Sequence, residues 1–226
     1  KPAPTAWASR APWGLPGGPA QTSWPALGGR RRGSQPATGS PTYQRERWTT
    51  PDGDFIDLDW QRQGDARTLL VLFHGLEGSS ASHYARDFAG FAAQRGFDFV
   101  VPHFRGCSGE PNRAPRAYHS GDFQEIDWIL RRLRQHHPGR VLAVGVSLGG
   151  NALLRWAEEM GAQAAQGVDA LAAVSAPVDL TASGLAMGRG LNRQIYTRMF
   201  LASMKPKALA QHARFPGLFD AQALRD

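Results

Sequence analysis

From Thr68 onward the apolar residues alternate between two styles. Short apolar runs at Thr68–Phe73, 97–101, Arg140–Val146 and 168–174 read as buried strands bounded by turn residues. Between them apolar positions recur at three and four residues, the period of one helix face. Tyr84, Phe88 and Phe91 mark such a face over 82–95, which stops at Gly96. Phe123, Ile126, Leu130 and Leu133 mark a second over 121–136, with Ser120 as N-cap and Pro138-Gly139 as the break. Leu153, Trp156 and Met160 mark a third, which ends at Gly161. Strand–helix alternation with short connections predicts an α/β protein with a mostly parallel sheet and helices on both faces. Beyond Pro177 the pattern turns helical, through 191–204 and 207–214. Ahead of Thr68 the period is two. Ile56, Leu58 and Trp60 alternate with Phe55, Asp57 and Asp59, which predicts a half-buried hairpin with 47–50 across the Pro51-Asp52-Gly53-Asp54 turn. Residues 1–42 are rich in Pro, Gly, Ser and Arg without a sustained period; they read as an irregular or disordered N-terminal segment, leaving 43–226 as the folded domain.

Two strand ends carry candidate chemistry. The run Arg140–Val146 leads into Gly145-Val146-Ser147-Leu148-Gly149, a G-x-S-x-G pattern, and a helical pattern follows. Five letters recur by chance in a glycine-rich chain, so the strand and helix on either side carry the weight. A serine between two glycines can occupy a turn too tight for neighbouring side chains. That turn lifts the hydroxyl off the strand end and aims the next N–H, that of Leu148, at a reacting oxygen. The strand Thr68–Phe73 ends in His74-Gly75-Leu76-Glu77-Gly78, whose backbone offers the Leu76 N–H as a second oxyanion donor. Ser147 is thus the candidate nucleophile, and Leu76 and Leu148 are the candidate oxyanion hole. His74 is expected to point into the fold as a hydrogen-bonding residue.

Composition narrows the choice. The chain has 226 residues, 42% of them hydrophobic and 20% charged, which suits one globular domain. No apolar run is long enough for a membrane span, and the N-terminal stretch has no apolar signal region. Cys107 is the single cysteine, so no internal disulfide can form and a cytoplasmic location is expected. The net charge of +7 raises the question of nucleic acid. The arginines at 30–32 and at Arg131, Arg132 and Arg134 do not form one basic stripe interleaved with aromatics; the latter three read as a solvated helix face, and no nucleic-acid partner is expected. Neither G-x-x-x-x-G-K-[ST] nor G-x-G-x-x-G occurs, which argues against a nucleotide site. His103 and His119 match no compact ligand spacing, and Cys107 has no assignable activating partner. No cofactor or metal is expected.

Several motifs together carry a family resemblance. They are His74-Gly75-Leu76-Glu77-Gly78-Ser79-Ser80-Ala81-Ser82-His83-Tyr84, Arg105-Gly106-Cys107-Ser108-Gly109-Glu110-Pro111-Asn112, Tyr118-His119-Ser120-Gly121-Asp122 and Gly145-Val146-Ser147-Leu148-Gly149-Gly150-Asn151. Lys205-Pro206-Lys207-Ala208-Leu209 and Arg214-Phe215-Pro216-Gly217-Leu218-Phe219-Asp220 extend it. From about residue 43 the chain resembles the YheT-like α/β-hydrolases, a carboxylesterase family. The resemblance implies an α/β-hydrolase fold, a Ser-Asp-His charge relay and a small-molecule ester substrate, short-chain or acylglycerol. The family carries its acid and histidine after a segment like 215–220, so both are expected beyond Asp226. The domain 43–226 is therefore read as partial, C-terminally truncated, and its own activity as open to question. Ser147, Asp179 and His212 formally satisfy the chain order, but His212 lies in a helical stretch with no strand end to aim its ring. The alternative is a non-catalytic hydrolase-fold module that binds an acyl ligand or a protein partner. Oligomeric state is not legible.

Overall fold

Residues 41–190, 193–220 and 222 are described by a computed structural model. The segment expected to be irregular lies outside them, apart from its last two residues. Strand β1 (Gln44–Thr49) and strand β2 (Phe55–Gln61) pair antiparallel across the predicted turn, where Gly53 takes φ +78°. The alternation in β2 predicts one solvated face, yet every residue from Phe55 to Trp60 is buried. The reason is ion pairing in register. Asp57 and Asp59 lie directly opposite Arg47 and Arg45, and each carboxylate accepts two hydrogen bonds from its arginine at 2.7 and 2.9 Å. The same arginines reach the Ser108 carbonyl and the Glu110 carboxylate, so the loop that follows the strand Asp98–Pro102 roofs this face. Bidentate pairing makes the burial of those charges tolerable.

The chain then alternates as expected: β3 (Thr68–Phe73), α1 (His83–Gln94), β4 (Asp98–Pro102), α2 (Phe123–His136), β5 (Arg140–Val146), α3 (Leu148–Met160), a single turn α4 (Ala164–Gly167) and β6 (Ala170–Val174). The sheet order is β1-β2-β4-β3-β5-β6. The strand pairs β3–β4, β3–β5 and β5–β6 are parallel, while β1–β2 and β2–β4 are antiparallel. Alternate β3 residues feed two cores. Leu69, Val71 and Phe73 pack with α2 and α3 residues such as Ile126, Leu130, Leu153 and Trp156, whereas Leu70 and Leu72 pack with α1. Helices therefore cover both faces, the α/β arrangement that the apolar pattern predicts.

Two helix faces differ from expectation. In α1 the buried stripe is Ala85, Ala89 and Ala92, not the aromatic face. Small residues let the helix backbone approach the sheet closely. Tyr84 and Phe88 pack at the flank, and Phe91 is 44% exposed under the Arg95 guanidinium. In α2 the three arginines are engaged rather than merely solvated. Arg131 bonds Asp127, Arg134 bonds Asp169, and Arg132 stacks over the Trp48 ring at 4.5 Å. The helix also starts at Phe123 with Asp122 before it, so Ser120 is not its cap.

After β6 come α5 (Leu180–Met187), a π-helical turn (Arg193–Thr197) and α6 (Arg198–Arg214), which runs through Pro206. Neither α5 nor α6 has a buried residue. Val178, Leu180, Leu185 and Met199 are exposed, Val178 by 81%. No described helix is long and apolar enough to cross a membrane.

Candidate functional site

Phe73 pairs with Gly145 in the parallel β3–β5 register, so the segments 74–78 and 146–149 leave the sheet side by side at one edge. Ser147 follows β5 with φ +53° and ψ −117°. A non-glycine residue held in such a region carries roughly 1–3 kcal/mol of strain, which the surroundings must enforce. Here they do: the Ser147 N–H donates to the Val174 carbonyl at 2.8 Å, and the Ser147 carbonyl accepts from Asn151 N–H at 2.9 Å. The flanking glycines permit the turn. A Cβ on Gly145 would sit 2.6 Å from Gly150 Cα, and one on Gly149 would sit 2.5 Å from the His74 carbonyl oxygen. Ser147 is part-exposed, and its hydroxyl has no hydrogen-bond partner among the described residues.

The segment 74–78 closes on it. A Cβ on Gly75 would lie 3.4 Å from Ser147 Cβ, so the loop backbone abuts the serine. The Gly75 N–H donates to the Tyr84 hydroxyl at 2.9 Å, the Glu77 N–H to the Tyr118 hydroxyl at 3.0 Å, and the Gly78 N–H to the Gly75 carbonyl at 2.9 Å. Among the described residues the N–H groups of Leu76 and Leu148 have no protein acceptor. Both remain available to a bound oxygen.

His74 is fully buried and points into the fold. Its Nε2 accepts the Phe104 N–H at 3.0 Å, which leaves Nδ1–H to donate to the Gly75 carbonyl at 2.8 Å. This pattern fits the neutral ring, and burial holds its pKa down at about 3. The unfolded chain takes up that proton near the ordinary histidine value of 6.5. Unfolding therefore binds a proton in between, so this contribution to stability is complete above pH 6.5 and is lost as pH falls toward 3. The thermal midpoint is expected to fall steadily on titration from pH 6.5 to pH 4.5, and a flat midpoint over that range contradicts this role for His74.

None of the other sequence candidates hydrogen-bonds the serine, although the Cys107 thiol lies 4.0 Å from Glu77 Oε1. Burial pushes the Cys107 thiol up to about 11, which leaves it protonated and a poor nucleophile. His103 bridges the Asp59 carboxylate and the Cys107 carbonyl, and His119 contacts the Ser120 carbonyl. Among the described residues no three His, Cys, Asp or Glu side chains gather as a metal site. Asp179 caps α5 by accepting the Ala182 N–H at 2.8 Å, and the His212 ring packs on Phe219. Neither hydrogen-bonds Ser147, so the formal Ser147–Asp179–His212 order is not assembled here.

Sequence reasoning missed a polar node beside the serine. The Tyr118 hydroxyl donates to Glu77 Oε1 at 2.8 Å, while Ser203 and Lys207 of α6 reach Glu77 Oε2, Lys207 at 2.6 Å. Burial raises the Glu77 pKa, but Lys207, Ser203 and Tyr118 outweigh it and hold the carboxyl below its usual range. Glu77 itself takes φ +54°. No local sequence signal marks the node, because its partners lie far along the chain.

The comparisons follow the geometry. A model of the alpha/beta hydrolase fold family matches residues 68–219. The esterase candidate YheT of Escherichia coli (strain K12) is 44% identical over 184 residues, 79% of this chain and 52% of that protein. The phospholipase ABHD3 of Mus musculus is 29% identical over 54% of this chain and 32% of its own length. The Pyrococcus furiosus esterase Pf2001 superposes with a TM-score of 0.56 at 20% identity, over 78% of this chain and 66% of that one. The chain thus spans about half the length of the bacterial relative and about a third of the mouse one. The family match covers well over half of the residues here, so this chain belongs to the α/β-hydrolase fold family and is YheT-like within it.

Proposed function

We propose that this chain carries the nucleophile and oxyanion hole of a serine hydrolase acting on carboxylic esters. The observation that carries the reading is the strained Ser147 turn, φ +53°, at the end of β5, with a hydroxyl that has no partner among the described residues. Ser147 Oγ attacks the ester carbonyl carbon and gives its proton to a general base. The carbonyl electron pair moves onto oxygen, where the Leu76 and Leu148 N–H groups stabilise it. Collapse expels the alcohol, which takes that proton back from the base, and leaves an acyl-serine that water hydrolyses to the carboxylic acid and free serine. Support comes from those two unpaired amides and from relatives named as an esterase and a phospholipase. All seven histidines of the chain are described, and none bonds the serine hydroxyl. In this reading the histidine base and its orienting acid lie outside these residues. The substrate is a small-molecule ester, short-chain or acylglycerol, with no cofactor and no nucleic-acid partner. The single free cysteine is consistent with the cytoplasm.

Without a histidine base the Ser147 hydroxyl is a weak nucleophile, so a rate far below that of a complete triad is expected. Hydrolysis of p-nitrophenyl acetate is therefore expected to be slow but to depend on Ser147. Ser147→Ala should fall below wild type to whatever the oxyanion hole and binding alone supply, and equal rates for the two proteins would sink the nucleophile assignment. A second reading, a non-catalytic module that binds an acyl ligand or a protein, draws on the exposed apolar residues Val178, Leu180, Leu185 and Met199.

A further inference from the structure

We infer that Tyr84 and Tyr118 are positioning residues that fix the Leu76 N–H beside Ser147, and that Lys207 on α6 sets this loop through Glu77. The inference rests on the oxyanion role given to Leu76 under the proposed function.

Four successive N–H groups leave the end of β3, those of Gly75, Leu76, Glu77 and Gly78. Tyrosine hydroxyls take the first and third, and the Gly75 carbonyl takes the fourth. The Leu76 N–H stands between the two tyrosine anchors without a protein acceptor among the described residues. A free donor flanked on both sides by anchored peptides cannot swing away, which is what a preorganised oxyanion donor requires.

The anchors are themselves held. The Tyr118 ring stacks on Phe104 with centroids 5.4 Å apart, and Phe104 packs edge-on to His74 at 4.9 Å. Tyr118 and Glu77 close a reciprocal pair, the Glu77 N–H donating to the hydroxyl and the hydroxyl donating to the Glu77 carboxylate. That pair maintains the left-handed conformation of Glu77 at φ +54°. The remaining carboxylate oxygen belongs to α6. Ser203, Lys207, Gln211 and Arg214 lie on one face of that helix, at i, i+4, i+8 and i+11. Ser203 and Lys207 bond Glu77, Gln211 bonds the Ala114 carbonyl, and Arg214 bonds the Asn112 carbonyl. With no buried residue of its own, α6 is held to Glu77 and to the 112–114 loop by this polar seam. Its position is transmitted to Leu76 through one carboxylate.

The test combines steady-state kinetics on p-nitrophenyl acetate with amide hydrogen exchange followed by NMR. The proteins are wild type, Tyr84→Phe, Tyr118→Phe, Lys207→Met, Lys207→Arg and Ser147→Ala. Tyr84→Phe, Tyr118→Phe and Lys207→Met are expected to lower kcat about tenfold, the scale of a small misplacement of a catalytic group. KM should change by less than about twofold, because ground-state binding is untouched. In the tyrosine variants the Gly75, Glu77 and Gly78 amides should exchange at least about tenfold faster, with β3 and β5 amides protected as before. Lys207→Arg should restore most of kcat. Wild-type kcat together with wild-type loop exchange in Tyr118→Phe and Lys207→Met overturns the inference. Faster exchange throughout the sheet also overturns it, since that marks a purely structural role. If Ser147→Ala keeps the wild-type rate, the proposed function fails, while the exchange data still decide whether these residues order the loop.

Discussion

Gly149→Ala is expected to unfold or severely destabilise the protein. The added Cβ would meet the Phe73 carbonyl oxygen, lie 2.5 Å from the His74 carbonyl oxygen and 2.6 Å from Phe73 C. These are backbone atoms of β3 and the loop that leaves it, not flexible side-chain ends. They can move only by breaking the β3–β5 register that brings the loop to Ser147. Ordinary overpacking costs about 1–3 kcal/mol, and this contact should exceed that range because no rotamer can relieve it. Gly184→Ala is the control: it lies within α5 with nothing inside 4 Å of the new Cβ. The exchange should be neutral, or stabilising by about 0.5–1 kcal/mol from helix propensity. Urea melts of the two variants measure both. Comparable stability for Gly149→Ala and wild type would mean that the loop and elbow are less tightly apposed than described.

Arg105→Met should cost about 3–5 kcal/mol, the scale of breaking a buried ion pair on one side. Arg105 is 5% exposed and bonds Glu125 through Nε at 2.7 Å and Asp52 through Nη1 at 2.8 Å, with Asp54 at 3.2 Å. Asp54 and Glu125 are both buried, so removing the guanidinium strands two carboxyl groups. Burial already raises the Glu125 pKa even with Arg105 lowering it. Arg105→Lys should recover only part of the loss, since an ammonium cannot serve three carboxylates with a fixed fork. A change below about 1 kcal/mol in the Arg105→Met melt would contradict the account of this cluster. The cluster ties the loop after β4 to the β1–β2 turn. Asp54 also accepts the N–H groups of Phe55, Arg113 and Ala114, and α6 rests on the carbonyls of residues 112 and 114.

What the sequence revealed and what it hid divide along physical lines. β3 and β5 begin and end at the predicted residues, because a fully buried parallel strand is an unbroken apolar run with polar ends. The turn at Ser147 was legible because strand, glycines and helix are contiguous in sequence. The buried face of α1 was misread because its aromatics are large but peripheral, while three alanines make the close contact. The buried Asp57 and Asp59 were misread as solvent-facing because the partner arginines sit on another strand. The Glu77 node was illegible for the same reason at longer range: its partners lie 41, 126 and 130 residues away. Periodicity reports which face of an element is apolar. It does not report which polar side chains meet after the chain has folded back.

The most direct measurement of the central claim is reaction of this chain with excess fluorophosphonate, followed by peptide mapping in a mass spectrometer. The account predicts a phosphonyl adduct that accumulates slowly on Ser147, within the peptide 141–155, and that is absent from Ser147→Ala. No adduct on Ser147, or an equal yield on another residue, would contradict it and favour the non-catalytic module.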